Sequence, residues 1–377
     1  MRRLYLDHAA TTPVAPEVWH AMEPWLRHQY GNPSSLHAEG RRAKDAIDET
    51  RERVSQALGC EFGEIVFTSG GTESANLALI GAALANPNPA RKRILVSAAE
   101  HHCVLHTKPT LEALGFEFQT IPVDRFARVN LNQLRELLSE DVLLVSVMHA
   151  NNELGSINPV GEVARLAHEK GALVHCDAVQ TFCQPSLKWN VNDLGADLVT
   201  VSGHKIQAAK GVGALYVRAG TKVKPTAVGG GQEREMRAGT ENVAAIVGFG
   251  EAIGLVRPQT TDLGQFRASL ADLVEWSLDG DTGPSLPGHA HGRVPGVDAE
   301  TLLIRLDRMG VSASSGAACS SGSLEASHVL LACGYSQAEA KQGIRFTFGI
   351  AFPAEDLREA AGIIRAAITE IRAAARS

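Results

Sequence analysis

No two of the six cysteines form a CxxC pair: Cys60, Cys103, Cys176, Cys183, Cys319 and Cys333 are scattered over 377 residues. In so long a chain this reads as thiols in a reducing compartment, and a cytoplasmic protein is expected. There is also no long apolar run. The longest, such as 142–147, fall far short of the ~20 residues a membrane-crossing helix needs. The opening Met1-Arg2-Arg3-Leu4 lacks the apolar stretch and cleavage site of a leader, so no export is expected. Basic charge is not in surplus, since 36 Lys and Arg face 42 Asp and Glu for a net charge of −6. That balance argues against nucleic acid or an anionic membrane as a partner. Tandem repeats and low-complexity tails are absent as well.

What is present is the composition of a water-soluble globular protein, with 44% hydrophobic and 21% charged residues. The length suggests two domains. Short apolar runs at 64–68, 93–97, 117–121, 142–148, 173–177, 198–202 and 214–217 read as strands. Helical periodicity separates most of them, at 72–83, 105–114, 131–138 and 160–169. Continuous apolar strands alternating with helices predict an α/β fold with a mainly parallel, seven-stranded sheet covered on both faces. A long helix is expected from 241 past 254, and another over 259–277. The pattern predicts a large domain over 17–257. Residues 1–16 with 258–377 form a small α+β domain.

Ligands of such sheets bind beyond the carboxyl ends of the strands, and the polar clusters lie there. Ser202-Gly203-His204-Lys205 follows an apolar strand. A lysine in that position can be partly desolvated and form a Schiff base, although most lysines are simply solvated. Asp177 ends another strand. It could pair with a pyridinium nitrogen or merely cap the next helix. Ser69-Gly70-Gly71-Thr72 joins a strand to a helix and offers N–H groups and a hydroxyl to a phosphate. No GK[ST] follows, so it is not a P-loop; an ordinary capped glycine turn is the plainer reading. His101 and His102 follow a fourth strand, where a ring could stack on a planar cofactor or could be a loop side chain. Asn151-Asn152-Glu153 ends a fifth. The spacing of His101, His102, Cys103, His175 and Cys176 fits no standard zinc pattern, so no metal is expected. Together these groups supply a phosphate cradle, a stacking ring, an acid and a Schiff-base lysine. That is the inventory of a pyridoxal-phosphate (PLP) enzyme.

Residues 312–323 are almost wholly small. Such a run is expected to be mobile, and Cys319 near its middle could serve as a carrier thiol. A plain linker with an incidental cysteine is the alternative. Cys60, Cys176, Cys183 and Cys333 have apolar neighbours and read as core thiols.

With these motifs in order, the chain resembles the cysteine desulfurases of the nitrogen-fixation and iron–sulfur-assembly type. These belong to the class V aminotransferases among fold type I PLP enzymes. The matching stretches include Tyr5-Leu6-Asp7-His8-Ala9-Ala10-Thr11-Thr12-Pro13, Gly31-Asn32-Pro33-Ser34-Ser35, Glu100-His101 and Asn151-Asn152-Glu153-Leu154-Gly155. They continue through Ser202-Gly203-His204-Lys205, Arg237-Ala238-Gly239-Thr240-Glu241-Asn242, the stretch 314–323 and Ile344-Arg345-Phe346. The resemblance implies that Lys205 carries PLP, His101 stacks on the ring and assists proton transfer, and Asp177 pairs with the ring nitrogen. Gln180 would bond the phenolic oxygen. Thr72, with Gly71, Ser202 and His204, would bind the phosphate, joined by Thr240 of a second subunit in a homodimer. Asn152 and Arg345, with Asn32 nearby, would hold the carboxylate of L-cysteine. Cys319 would accept sulfur as a persulfide, leaving L-alanine, and pass it to an acceptor protein. Two other readings stay open: a selenocysteine lyase or other β-eliminating enzyme, and a weakly active, partner-dependent sulfur-relay subunit. The Cys319 loop disfavours the first, and the intact Lys205, Asp177, His101, Cys319 and Arg345 disfavour the second.

The chain departs from the family in places. Ile206-Gln207-Ala208-Ala209-Lys210-Gly211 replaces the usual Ile-Tyr-Gly-Pro-Lys-Gly, and Ile350 stands where Arg is usual. The 275–292 region is shortened, with Gly288-His289-Ala290-His291 in place of a strand.

Overall fold

The structure, a computed structural model, describes residues 2–258, 261–316, 326–349 and 352–375. Its strands are β1 (Leu4–Tyr5), β2 (Ile65–Thr68), β3 (Arg93–Ser97), β4 (Glu117–Ile121), β5 (Val142–Ser146) and β6 (Leu173–Asp177). There follow β7 (Leu198–Ser202), β8 (Gly213–Val217), β9 (Glu275–Trp276), β10 (His289–Arg293), β11 (Val311–Ser312) and β12 (Gly343–Thr347).

Seven of these form one sheet in the order β2-β8-β7-β6-β5-β3-β4. The five from β7 to β4 run parallel, and β8 is antiparallel to both its neighbours. The α/β class and the mainly parallel seven-stranded sheet are therefore as expected. Strands β5, β7 and β8 are buried along their whole length. That is why their sequences are apolar without alternation. Strand β5 ends at Ser146, two residues earlier than its apolar run. The Met148 N–H leaves the ladder to donate to the Glu100 carboxylate at 2.5 Å.

A second core gathers Leu4, Leu6, Phe266, Trp276, Phe346, Phe348, Leu357 and Ile364. It lies on the three-stranded antiparallel sheet β12-β10-β9. The first residues of the chain join it through β1, which pairs with β11.

Three local expectations need correction. The helix expected over 259–277 is only Leu263–Ala268 within the described residues; the chain then turns and enters β9. The Ser269 hydroxyl donates to the Phe266 carbonyl at 2.7 Å, which competes with helix continuation. Trp276 is drawn into the second core instead. The Gly-His segment thought to lack a strand forms β10, the centre of its sheet. Gly292 permits this, because a Cβ there would stand 2.6 Å from Val274 and 2.9 Å from the Glu275 carbonyl. The helix expected over 105–114 is two short helices, His102–Leu105 and Lys108–Ala113. The Thr107 hydroxyl closes the first at 2.6 Å on the Val104 carbonyl, and Pro109 sits in the first turn of the second.

Among the described residues no helix is long and apolar enough to cross a membrane. Cys60, Cys103, Cys176, Cys183 and Cys333 are thiols.

Candidate active site

A cavity of about 370 Å³ opens at the carboxyl ends of the parallel strands. Its lining includes Gly71, Thr72, His101, Asn152, Asp177, Gln180, Ser202, His204, Lys205 and Arg345. Ten of the residues singled out from the sequence thus meet in one place, and each is there for a local reason.

Lys205 closes a single 3-10 turn, Gly203–Lys205, directly after β7. Its ammonium donates to the carbonyls of Ala9 and, at 2.8 Å, Ala10. The Gln180 amide donates to the same Ala9 carbonyl at 3.1 Å. The Ala9-Ala10 stretch therefore lies against the lysine, and Thr12 fastens it by donating from both its N–H and its hydroxyl to the His204 carbonyl. Gln207 adopts φ +69° two residues on, in the left-handed region that glycine favours. Its N–H is held by the Thr12 hydroxyl at 2.8 Å.

Asp177 is the last residue of β6 and is buried. Burial pushes its carboxyl up to about 6, while the Val179 N–H at 3.0 Å and the charge of Lys205 pull it back. Burial and the neighbouring Asp177 push Glu100 up to about 8. One Glu100 oxygen accepts from Met148 and the other is buried without a hydrogen bond. Both carboxyl groups of this pair therefore hold a proton more tightly than an exposed carboxyl group does. Sequence reading missed the burial of Glu100, since a glutamate beside a histidine in a loop gives no sign of it.

The His101 Nδ1 accepts from the Cys103 N–H at 3.1 Å and caps the short helix His102–Leu105. Burial first, then the charge of Lys205, lowers its imidazole to about 4. The ring is neutral at pH 7, with its proton on Nε2.

The phosphate-like end lies between β2 and β7. Helix Gly71–Ala85 starts at Gly70, where φ is +148°, and a Cβ on Gly71 would stand 3.0 Å from Val179. The Ser202 hydroxyl is buried in this corner with no hydrogen-bond partner. A buried hydroxyl left unmatched is costly. Beside the N–H groups of a helix start, it fits an anionic oxygen. With Asp177 for a ring nitrogen and Lys205 for an aldehyde, the residues present fit PLP.

Arg345 enters from the other side. It sits in the middle of β12, buried, and donates to the Asn152 carbonyl at 2.7 Å and the Asp7 carboxylate at 2.8 Å. Its Nε is buried without a partner. Asp7 as the arginine's partner was also missed, because 338 residues separate the two.

Two expected residues are not brought to this cavity within one chain. Asn32 and Thr240 are exposed and do not line it. The Thr240 segment is nevertheless fixed. Arg237 pairs with Glu73 at 3.0 Å, and the buried Glu233 makes a two-pronged ion pair with Arg51 at 2.7 and 2.8 Å. Cys319 and Ile350 lie outside the described residues. Gly316, three positions before Cys319, does line the cavity.

The sequence pattern of the family described as aminotransferase class-V matches residues 4–359. This chain belongs to the class V aminotransferases. Within that family it is similar to the cysteine desulfurase IscS of Dictyoglomus turgidum. The two are 43% identical over 98% of this chain and 96% of the relative. It is 40% identical to the cysteine desulfurase IscS of Methanosarcina thermophila, over 98% and 93% of the two chains. Among solved structures, a NifS-like protein superposes with a TM-score of 0.87 at 33% identity, covering 97% of this chain and 99% of that one. A structure described as SspA in complex with cysteine gives a TM-score of 0.82 at 32% identity, covering 93% and 99%. The fold of this class V aminotransferase is accordingly that of the fold type I PLP enzymes, and it is PLP-dependent.

Proposed function

We propose that this chain is a cysteine desulfurase that converts L-cysteine to L-alanine and leaves the sulfur on Cys319 as a persulfide. One observation carries the reading: a single cavity holds Lys205, Asp177 and His101 from strand ends, Arg345 from the second core, and Gly316, three residues before Cys319. The cysteine desulfurase relatives at 40–43% identity point the same way.

Lys205 would hold PLP, with Asp177 at the ring nitrogen and Gln180 at the phenolic oxygen. Thr72, Ser202, His204 and the backbone at Gly71 would hold the phosphate, completed by Thr240 from a second copy in a homodimer. When bound, the cofactor accepts the electron pair freed at the substrate α-carbon. Arg345, with the Asn152 side chain, clamps the substrate carboxylate. The fork of Arg345 suits a planar carboxylate, and its unpartnered Nε is available to one. The Lys205 amine takes the α-proton. The neutral His101, with its proton on Nε2, stacks on the ring and helps move protons at the substrate. The Cys319 thiolate attacks the substrate sulfur, so that an S–S bond forms as the C–S bond breaks. One proton delivered to the β-carbon, in place of the broken C–S bond, and the α-proton given back to the α-carbon by Lys205 complete alanine. The persulfide sulfur then passes to an acceptor protein in the cytoplasm. We further propose that 17–257 is the large domain and 1–16 with 258–377 the small one.

The test is sulfide and alanine release from L-cysteine with dithiothreitol, for wild type and Cys319→Ala. Equal amounts of both products from wild type are expected. Cys319→Ala should keep its visible cofactor band but release no sulfide. A Cys319→Ala variant as active as wild type would overturn the persulfide role and favour simple β-elimination.

A further inference from the structure

One buried carboxyl group near this cavity has no part in the chemistry so far. Glu153 is 2% exposed and follows Asn152, whose carbonyl Arg345 grips. Its own backbone N–H is tied to the Asn151 side chain at 2.9 Å, so its Cα is fixed. Burial is the main influence on its side chain, raising it to about 7, with Arg345 opposing. A carboxyl group this deep needs partners to offset its desolvation.

The partners come from the two sides of Cys319. Ser327, the N-cap of helix His328–Ala332, donates its hydroxyl to Glu153 Oε2 at 2.6 Å. Gly316 packs on the same group. A Cβ at that position would stand 2.7 Å from Oε2 and 3.0 Å from Cδ, and the backbone is at φ +85°. Both facts require glycine there. Gly316 is also tied by its N–H to the Ser314 hydroxyl at 3.1 Å, and Ser314 pairs with the Arg345 backbone.

We propose that Glu153 is a positioning residue: its carboxyl group fixes Gly316 and Ser327, the residues bracketing Cys319, against the wall of the Lys205 cavity. The inference rests on the desulfurase reading. Chain reach makes the near side decisive. At ~3.3–3.6 Å per residue, the Cys319 Cα lies within about 11 Å of that of Gly316. Gly316 shares the cavity lining with Lys205 and Arg345. Fixing Gly316 therefore limits how far the thiol is from the substrate sulfur, while the Arg345 guanidinium that takes the substrate is held separately, by Asp7 and the Asn152 carbonyl. Loss of Glu153 should slow sulfur transfer and spare cysteine affinity.

The experiment is a single turnover of holoenzyme with L-cysteine, quenched with an alkylating agent, with persulfide on the Cys319 peptide read by mass. Cysteine affinity is read from the change in the visible spectrum. For Glu153→Ala we expect a rate of persulfide formation about ten-fold lower, the effect of losing one buried hydrogen bond. Its half-saturating cysteine concentration should stay within about two-fold of wild type. Glu153→Gln, whose amide oxygen still accepts from Ser327, should recover most of the rate. A rate and an affinity that fall together, or a Gln variant as slow as Ala, would overturn the assignment. Should Glu153→Ala fail to take up cofactor, Ser327→Ala decides. It should be about three- to five-fold slower, and wild-type speed would overturn the proposal. Cys319→Ala, run beside these, separates the two readings. If it makes alanine at the wild-type rate, the desulfurase reading fails and the inference with it. If it is inactive while Glu153→Ala matches wild type, only the role of Glu153 is lost.

Discussion

Along one wall of the cavity every polar side chain stands at or just beyond the carboxyl end of a strand. Thr72 follows β2, His101 follows β3, Asn152 follows β5, Asp177 ends β6, and Ser202 and Lys205 end and follow β7. Along the other wall Arg345 stands in the middle of β12, held by Asp7 and by the Asn152 carbonyl. The first wall is placed by the backbone ladder of a buried parallel sheet, which tolerates little shift in register. The second is placed by side-chain bonds between segments far apart in sequence. In the proposed reading the first holds the cofactor, with Asn152 alone reaching across to the substrate, and the second holds the substrate. Cofactor retention and substrate affinity should then fail separately.

The sharpest test of that separation is Lys205→Ala. It should remove turnover, by at least about 10³-fold, and abolish the visible band of the cofactor aldehyde bound to an amine, read by absorbance. On the opposite wall, Arg345→Ala should keep that band and raise the KM for cysteine. A loss of about 10–10² in kcat/KM corresponds to one charge-assisted clamp, and Asp7→Ala should show a weaker version of the same pattern in steady-state kinetics. If Arg345→Ala also lost the cofactor, the two walls would not be independent.

Acid should weaken both regions. His175 is wholly buried between the hydroxyls of Ser146 and Thr200, at 2.8 and 2.9 Å, and burial lowers it to about 3. His291, in the second sheet, is lowered to about 3 by burial and by Arg345. The unfolded chain takes up these protons near pH 6.5 and the folded one does not. The stability these two histidines contribute is thus complete above pH 6.5 and falls as pH drops towards 3, by about 1.4 kcal/mol per unit for each. Urea midpoints between pH 7 and 5 would show it. The comparison sharpens with His291→Gln and His175→Gln. His175 has both ring nitrogens matched, whereas His291 Nε2 is buried without a partner. His175→Gln should therefore cost more at pH 7, while both variants should flatten the acid slope.

The smallest effect concerns the first wall alone. Gln207→Gly should raise stability by up to about 1 kcal/mol, because the left-handed backbone there disfavours a side chain. The cofactor band should be unchanged, and thermal unfolding would measure the gain.

The first wall was legible because its signals are local. An apolar run ending in Asp177, or in Ser202 followed by Lys205, announces a strand and a polar end within a few residues. The β10 strand was not legible, since His289, Ala290, His291 and Gly292 look like a turn. Only the close approach of Val274 and Glu275 makes glycine the fitting residue for a central strand. The helix expected after 259 failed for a related reason: Trp276 gains more from the second core than the helix would gain from continuing.

By itself, then, the sequence determined the sheet and its strand ends, because a strand buried on both faces must be apolar and its polar residues must fall beyond it. Through its motifs it also determined the family. Tertiary structure alone decided which carboxyl groups are buried together, as Glu100 and Asp177 are. It alone decided that Asp7 fixes Arg345 and that Glu153 sits between Gly316 and Ser327. Desolvation and pairing depend on distance in space, and residues separated by 174 or 338 positions carry no local trace of their contact.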